Sequence, residues 1–295
     1  MRKTISICNT KCPSTLTNGV VFSQSLNRMG RVFRPLELHF IRPCVWYTQE
    51  ELRDGIPAKE KLPTIIWISG GGFETTAPIK YAPEFNYLIE KGYQVALIDY
   101  RVSGEAPFPA ALQDVKTAIR FLRANADKYG VDEKHIAVMG DSAGGYLSVM
   151  LGVTSDTDLF DTDEWIGYDS SVNAVVDLYG AVDLTSLEQQ RPVYSGNVLT
   201  PVRKFLGDRG MNDEQLHKIA NPINHISEST PPFLIMHGTN DQIISHEQSE
   251  LLYHALKAKG ISVDFYTLDG VGHAGNEFWQ EPVKEIIAAF LKLYI

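Results

Sequence analysis

His135-Ile136-Ala137-Val138-Met139-Gly140-Asp141-Ser142-Ala143-Gly144-Gly145-Tyr146 is the stretch whose reading decides the fold. The apolar run Ile136 to Met139 ends in Gly-x-Ser-x-Gly, and an apolar, small-residue segment follows from Tyr146 to Leu151. That order reads as buried strand, sharp turn and helix. A serine on such a turn is held in a strained backbone conformation, with its hydroxyl above the strand ends. Side chains at Gly140 and Gly144 would collide with neighbouring backbone, so glycine there is a steric requirement. The helix that starts at the serine aims free amides and its positive end at any oxyanion forming beside the hydroxyl.

Working outward, further continuous apolar runs flank this one: Thr64 to Ile68, Val95 to Ile98, Ala174 to Val176, Phe233 to Met236 and Val263 to Tyr266. Strands without alternation are buried on both faces, as in parallel sheets covered by helices. Between them, Ala111, Val115, Ala118, Ile119 and Leu122 recur at helical spacing, as do Val283, Ile286, Ile287, Phe290, Leu291 and Tyr294. The expected class is α/β, with a mostly parallel central sheet flanked by helices. Residues 1–60 are less legible. Leu36, Leu38 and Phe40 alternate with Glu37 and His39 as a half-buried strand, Val20 to Phe22 is a second, and Glu50 to Leu62 reads as an exposed loop. Residues 184–232 interrupt the alternation as a small lid-like insertion, with short helices near Val202–Leu206 and Asp213–Ala220. The whole chain, 1–295, is expected to be one domain.

With 44% hydrophobic and 21% charged residues, the chain can bury a sizeable core. A net charge of −9 argues against nucleic acid and anionic membranes as partners. Three cysteines, Cys8, Cys12 and Cys44, are odd in number and lack CxxC spacing, which fits a reducing compartment. Thr4 to Gly19 holds no apolar signal core, and the expected location is cytoplasmic. Thr154 to Ser171 is acidic, but its carboxylates are out of register with a calcium loop, so a solvated loop is expected and no metal.

A serine hydroxyl needs a general base within hydrogen-bond reach, itself oriented by an acid. Asp241 follows the Phe233–Met236 strand in His237-Gly-Thr-Asn-Asp241. His273 follows the next strand in Gly270-Val-Gly-His273-Ala-Gly275. Both positions are at carboxyl ends of strands, where the catalytic groups of open α/β sheets gather. Asp177, Asp183 and Asp269 are the rival acids. Asp269 is too close in sequence to the ring, Asp177 reads as a polar core contact and Asp183 as a helix N-cap. His237 reads as a brace for the acid loop. Ser69-Gly70-Gly71-Gly72-Phe73, after the first apolar run, lets backbone approach a ligand closely. The amides of Gly71, Gly72 and Ala143 are therefore the candidate oxyanion hole.

Gly140-Asp-Ser-Ala-Gly-Gly, the glycine triplet before Phe73, His-Gly-x-x-Asp ending at Asp241 and Gly-x-Gly-His ending at His273 together resemble the α/β-hydrolase esterases. The similarity is greatest to the hormone-sensitive-lipase-like carboxylesterases and the bacterial acetyl and feruloyl carbohydrate esterases. Asp99-Tyr100-Arg101 and Pro107-Phe-Pro-Ala110 are similar to segments of that group, and the resemblance covers about residues 62–295. It implies the α/β-hydrolase fold and hydrolysis of short-chain or aromatic acyl esters, acylated sugars included, with Ser142, His273 and Asp241 as the triad and no cofactor. One departure is Ser69, where the group usually has a histidine that braces the oxyanion loop. Phe73, Tyr100 and Trp165 are the candidate substrate contacts, with Phe108, Tyr168, Tyr194 and Trp279 as further aromatics. Competing readings are an arylformamidase, a peptidase, or a ligand-binding homologue that has lost catalysis. Oligomeric state, a dimer included, is left open.

Overall fold

The computed structural model describes residues 14–26, 33–43, 60–190, 200–207, 210 and 213–295. Every apolar run named above is a strand of one eight-stranded sheet. The strands are β1 (Ser14–Leu26), β2 (Phe33–Pro43), β3 (Leu62–Ile68), β4 (Gln94–Ile98), β5 (Val131–Asp141), β6 (Ala174–Leu178), β7 (Phe233–Gly238) and β8 (Val263–Leu268). The helices are α1 (Asn86–Ile89), α2 (Ala110–Ala124), α3 (Ala126–Tyr129), α4 (Ala143–Thr154), α5 (Leu184–Gln190), α6 (Pro201–Leu206), α7 (Glu214–Ile219), α8 (Glu247–Ala258) and α9 (Val283–Tyr294).

The sheet order is β1-β2-β4-β3-β5-β6-β7-β8, antiparallel at β1–β2 and β2–β4 and parallel elsewhere. Alternate residues of the buried strands feed two core layers. Ile65, Trp67, Leu97 and Met139 pack with Leu88 of α1 and Ile287 and Leu291 of α9. Ile66, Ile68, Ile98 and Val138 pack with Leu112 and Ile119 of α2, Leu147 of α4 and Leu252 of α8. Helix α4 is buried along its whole length, which explains why its sequence is apolar all round.

Chain order and spatial order part company at β3. From β3 the chain crosses to β4 on one side, then returns to lay β5 on the other. The loops leaving the carboxyl ends of β3 and β5 therefore diverge, and a crevice opens between them. Open α/β sheets bind ligands at such a switch point. Ser69 to Thr75 leaves β3 there, and Ser142 leaves β5.

The acidic segment differs in part from the solvated loop expected of it. Asp156, Asp158, Asp163 and Glu164 are exposed, but Phe160 is buried, and Asp161 pairs with Lys116 at 2.7 Å and Arg120 at 2.9 Å on α2. Those two cations are buried, and a buried cation needs a counter-charge, which pulls the loop down. The expected loop from Glu50 to Leu62 lies outside the described residues as far as Lys59, and its last residue, Leu62, instead opens β3. The three cysteines and Tyr194 also lie outside the described residues.

Candidate active site

The turn after β5 puts Ser142 at φ 53°, ψ −118°, a conformation most side chains avoid. Its amide donates to the carbonyl of Leu178 at 2.9 Å, tying the turn to β6. A Cβ on Gly140 would run into the carbonyl of Gly144, and one on Gly144 into the carbonyl of Ile68. The steric requirement read from the motif is thus a close approach of helix α4 to β5 and to the end of β3.

His273, in the loop after β8, sets Nε2 2.9 Å from Ser142 Oγ and Nδ1 2.6 Å from Asp241 Oδ2. Asp241 Oδ1 accepts the amides of Ile243 at 2.8 Å and Ile244 at 2.9 Å. His237, buried at the end of β7, approaches Asp241 Oδ2 at 3.2 Å and the carbonyl of Ile244 at 3.0 Å, and its Nδ1 meets Ser249 Oγ at 2.7 Å. Burial pushes the Asp241 carboxyl up, but the bonds from His237, His273 and the Ile244 amide outweigh it and hold the group well below the usual carboxylate range. An ionised Asp241 can only accept. The shared proton therefore sits on Nδ1 of His273, and Nε2 turns its lone pair to Ser142.

The rival acids are occupied elsewhere. Asp177 is fully buried, with Oδ1 accepting the Gly180 amide at 3.0 Å, and burial pushes its carboxyl up to about 7. Asp183 Oδ1 accepts the Thr185 amide at 3.0 Å and so caps α5. Asp269 accepts from the hydroxyl of Thr239 at 3.2 Å.

The glycine loop after β3 turns tightly on itself. Gly71 and Gly72 have φ of 142° and 61°, and the amides of Glu74 and Thr75 return to the carbonyl of Gly71 at 3.0 and 3.2 Å. Ser69, at the usual histidine position, accepts the Ala77 amide on Oγ at 3.3 Å and the Tyr100 hydroxyl on its carbonyl at 2.8 Å. Phe73 stacks on Phe205 of α6 at 3.9 Å, and Glu74 pairs with Lys204 of the same helix. Among the described residues, the amides of Gly71, Gly72 and Ala143 donate to no protein acceptor.

Ser142, His273, Ala143 and the glycine loop face a cavity of about 910 Å³. Ala181, Leu187, Val202, Ile243 and Ile244 give it apolar walls, while Glu74, Thr75, Lys80, Lys204 and Gln242 supply polar groups. Leu187 and Thr200 to Lys204 come from the insertion between β6 and β7, so that segment borders the cavity. Of the three aromatic residues expected here, Phe73 is in the wall, but the other two expectations are corrected. Tyr100 is fully buried beneath the glycine loop, where its hydroxyl is used by Ser69. Trp165 donates Nε1–H to the carbonyl of Phe22 at 3.2 Å and packs edge-on against Phe121, far along the sheet toward β1. Phe108 packs on Phe160 and Phe205, Tyr168 is exposed, and Trp279 sits against Trp67 and Tyr81. Tyr81, Ile243 and Gln242 line the cavity instead. None of them lies in a motif, although Gln242 and Ile243 directly follow the acid.

Comparison with known proteins finds the chain similar to esterases. Esterase LipC of Mycobacterium tuberculosis is 33% identical over 224 residues, which is 75% of this chain and 55% of its own length. The chain spans about half the length of the curated relatives it matches. A truncated form of carbohydrate esterase from gut microbiota superposes with a TM-score of 0.79 at 27% identity, covering 97% of this chain and 98% of its own. A bifunctional GH43-CE protein from Bacteroides eggerthii superposes with a TM-score of 0.76 at 25% identity, over 94% of this chain and 38% of its own. The fold is the α/β-hydrolase fold, and the BD-FAE family model matches residues 56–256. On that match over more than half its length, the chain belongs to the BD-FAE family.

Proposed function

We propose that the protein hydrolyses carboxylic esters through an acyl-serine intermediate. The observation that carries this reading is the chain Ser142 Oγ–His273 Nε2 at 2.9 Å and His273 Nδ1–Asp241 Oδ2 at 2.6 Å, open to a cavity. Ser142 attacks the ester carbonyl as His273 takes its proton. Asp241, held ionised, stabilises the imidazolium and keeps the ring in place. The amides of Gly71, Gly72 and Ala143, free of acceptors among the described residues, receive the oxyanion, each stabilising it by about 3 kcal/mol. The imidazolium then protonates the leaving alcohol, and water repeats the cycle to release the acid.

The substrate read from the cavity is an ester of a small acyl group with a sugar or simple alcohol. Short side chains (Ala143, Ala181) and Leu187 line the cavity together with the serine, and Glu74, Thr75, Lys80 and Gln242, which can hydrogen-bond hydroxyl groups, line it too. The likeness to a carbohydrate esterase structure is in keeping with this choice. The described part of the insertion, through Leu187, Thr200, Pro201, Val202 and Lys204, serves as a cap beside the site.

A kinetic panel on purified protein tests the reading: p-nitrophenyl esters from acetate to decanoate, acetylated xylan oligosaccharides and methyl ferulate, with fluorophosphonate labelling alongside. Preference for acetate and release of acetate from the oligosaccharides is expected. Rates that rise with acyl length beyond about eight carbons would discard the small-acyl assignment. No turnover and no labelling of Ser142 would discard the esterase itself.

A further inference from the structure

Asp141 occupies the variable place before the serine in Gly-x-Ser-x-Gly, and no step of the mechanism above uses it. Its side chain is nonetheless at the centre of the site. It is 3% exposed and borders the cavity. Oδ1 accepts the amide of Gly70 at 2.6 Å, and Oδ2 accepts the hydroxyls of Tyr81 at 3.1 Å and Tyr179 at 3.4 Å. Tyr179 in turn sets its ring edge-on to the His273 imidazole, with centroids 5.1 Å apart. Burial pushes the Asp141 carboxyl up, and the Gly70 amide and Tyr81 hydroxyl oppose that shift, as expected where those bonds favour the charged form.

Resting on the esterase reading, we propose that Asp141 is a positioning residue that locks the oxyanion loop to the nucleophile turn. Gly70 directly precedes the two glycines that offer oxyanion amides, and Asp141 directly precedes Ser142. The bond between them spans 71 residues of sequence. It fixes the distance between nucleophile and oxyanion donors from inside the site, on the side where a Cβ of Gly70 would lie 2.7 Å from the Asp141 carbonyl. Bracing expected of a histidine at position 69 comes in this chain from the nucleophile side. Ser69 contributes through its longer 3.3 Å contact to Ala77. Through Tyr179 the same carboxylate also supports the ring of the general base.

Two variants test the proposal, after wild-type turnover and Ser142 labelling have been measured. Asp141→Ala removes the acceptor and is expected to lower kcat about 30-fold while KM stays within about threefold, since the amides bind the oxyanion and not the ground-state ester. A trifluoromethyl ketone, which forms a tetrahedral adduct with the serine, should lose potency by a similar factor. Asp141→Asn retains a carbonyl oxygen for the Gly70 amide and should recover most of the rate and the ketone affinity. The Gly70 amide resonance reads the bond without catalysis. It should lie downfield in the wild type and move upfield in both variants, further in the alanine. Wild-type kcat in Asp141→Ala, ketone potency that does not follow kcat, or a Gly70 resonance that does not move would each overturn the proposal. Should the alanine variant fail to fold, Asp141→Asn decides. A 30-fold loss of ketone potency in that isosteric variant would also overturn it. An inert wild type with a Gly70 resonance that shifts as expected would instead overturn the esterase reading and leave the structural link standing.

Discussion

On one side of the cleft, the buried Asp241 carboxylate is saturated by two imidazoles and two backbone amides. On the other side, the loop from Gly70 to Thr75 is held by the bond from the Gly70 amide to the Asp141 carboxylate, by backbone bonds within the loop, by the stacked pair Phe73–Phe205 and by the ion pair Glu74–Lys204. The acid–base side is thus built from charge-assisted hydrogen bonds in a low-dielectric setting, where each bond is strong and a lost partner is costly. The oxyanion side has one such bond, from Gly70 to Asp141, and otherwise rests on backbone conformation, on stacking against the insertion and on a solvent-exposed ion pair. The difference suggests that substitutions on the first side act on chemistry almost completely, while those on the second grade it.

The largest expected effect is that of Ser142→Ala, which should lower turnover of p-nitrophenyl acetate by about 10⁴-fold or more without loss of Tm. Next, Asp241→Asn keeps the shape but lets His273 take the wrong tautomer, and should cost about 10³- to 10⁴-fold in kcat. A loss under tenfold would show that the acid–base side is not as tightly coupled as its hydrogen bonds suggest. Phe205→Ala probes the other side. Phe205 is buried, so unfolding by urea should show stability lowered by about 3 kcal/mol, and kcat should fall by roughly 10- to 100-fold as the glycine loop loses its stacking partner. If kcat is unchanged in the folded variant, the insertion does not position the loop.

Asp177 provides a contrast in pH dependence with Asp241. Its folded pKa is raised from 3.8 to about 7 by burial. Between those values the folded chain binds the proton more tightly than the unfolded chain, so this group's contribution makes stability fall as pH rises from about 4 to 7. Asp177→Asn should remove that slope, measured as Tm against pH. Asp241 has the opposite sign. Its lowered pKa gives stability present above the unfolded value and lost as pH falls through the folded one. The smallest effect should be that of Lys204→Met: the pair with Glu74 is over a third exposed on both sides, so stability should change by less than about 1 kcal/mol and kcat by less than about threefold.

Much of this architecture is legible locally because the strands are buried on both faces, so Ile65, Ile66, Trp67 and Ile68 form a run that no loop would carry. The turn at Ser142 is legible because only glycine fits two residues to either side. The aromatic residues are not legible in this way, for an equally physical reason. A tyrosine such as Tyr100 and a tryptophan such as Trp165 satisfy a wall and a core equally well by composition. Their placement is set by which carbonyl their polar atom can reach, Ser69 for the one and Phe22 for the other. The buried cations Lys116 and Arg120 were likewise hidden in an otherwise ordinary amphipathic helix, and with them the reason the acidic loop lies down on α2.

By itself the amino-acid sequence determined the strand–turn–helix at the serine and the α/β class, because each rests on sterics or burial acting over a few residues, and it pointed to Asp241 and His273 by their places after consecutive strands. Only the tertiary structure decided which aspartate meets the imidazole, how the glycine loop is braced without its usual histidine, and which side chains line the cavity. Those outcomes depend on hydrogen bonds between residues far apart in the chain, 131 positions in the case of Ser142 and His273. A bond of that kind is governed by a distance of about 3 Å that no local pattern of residues encodes.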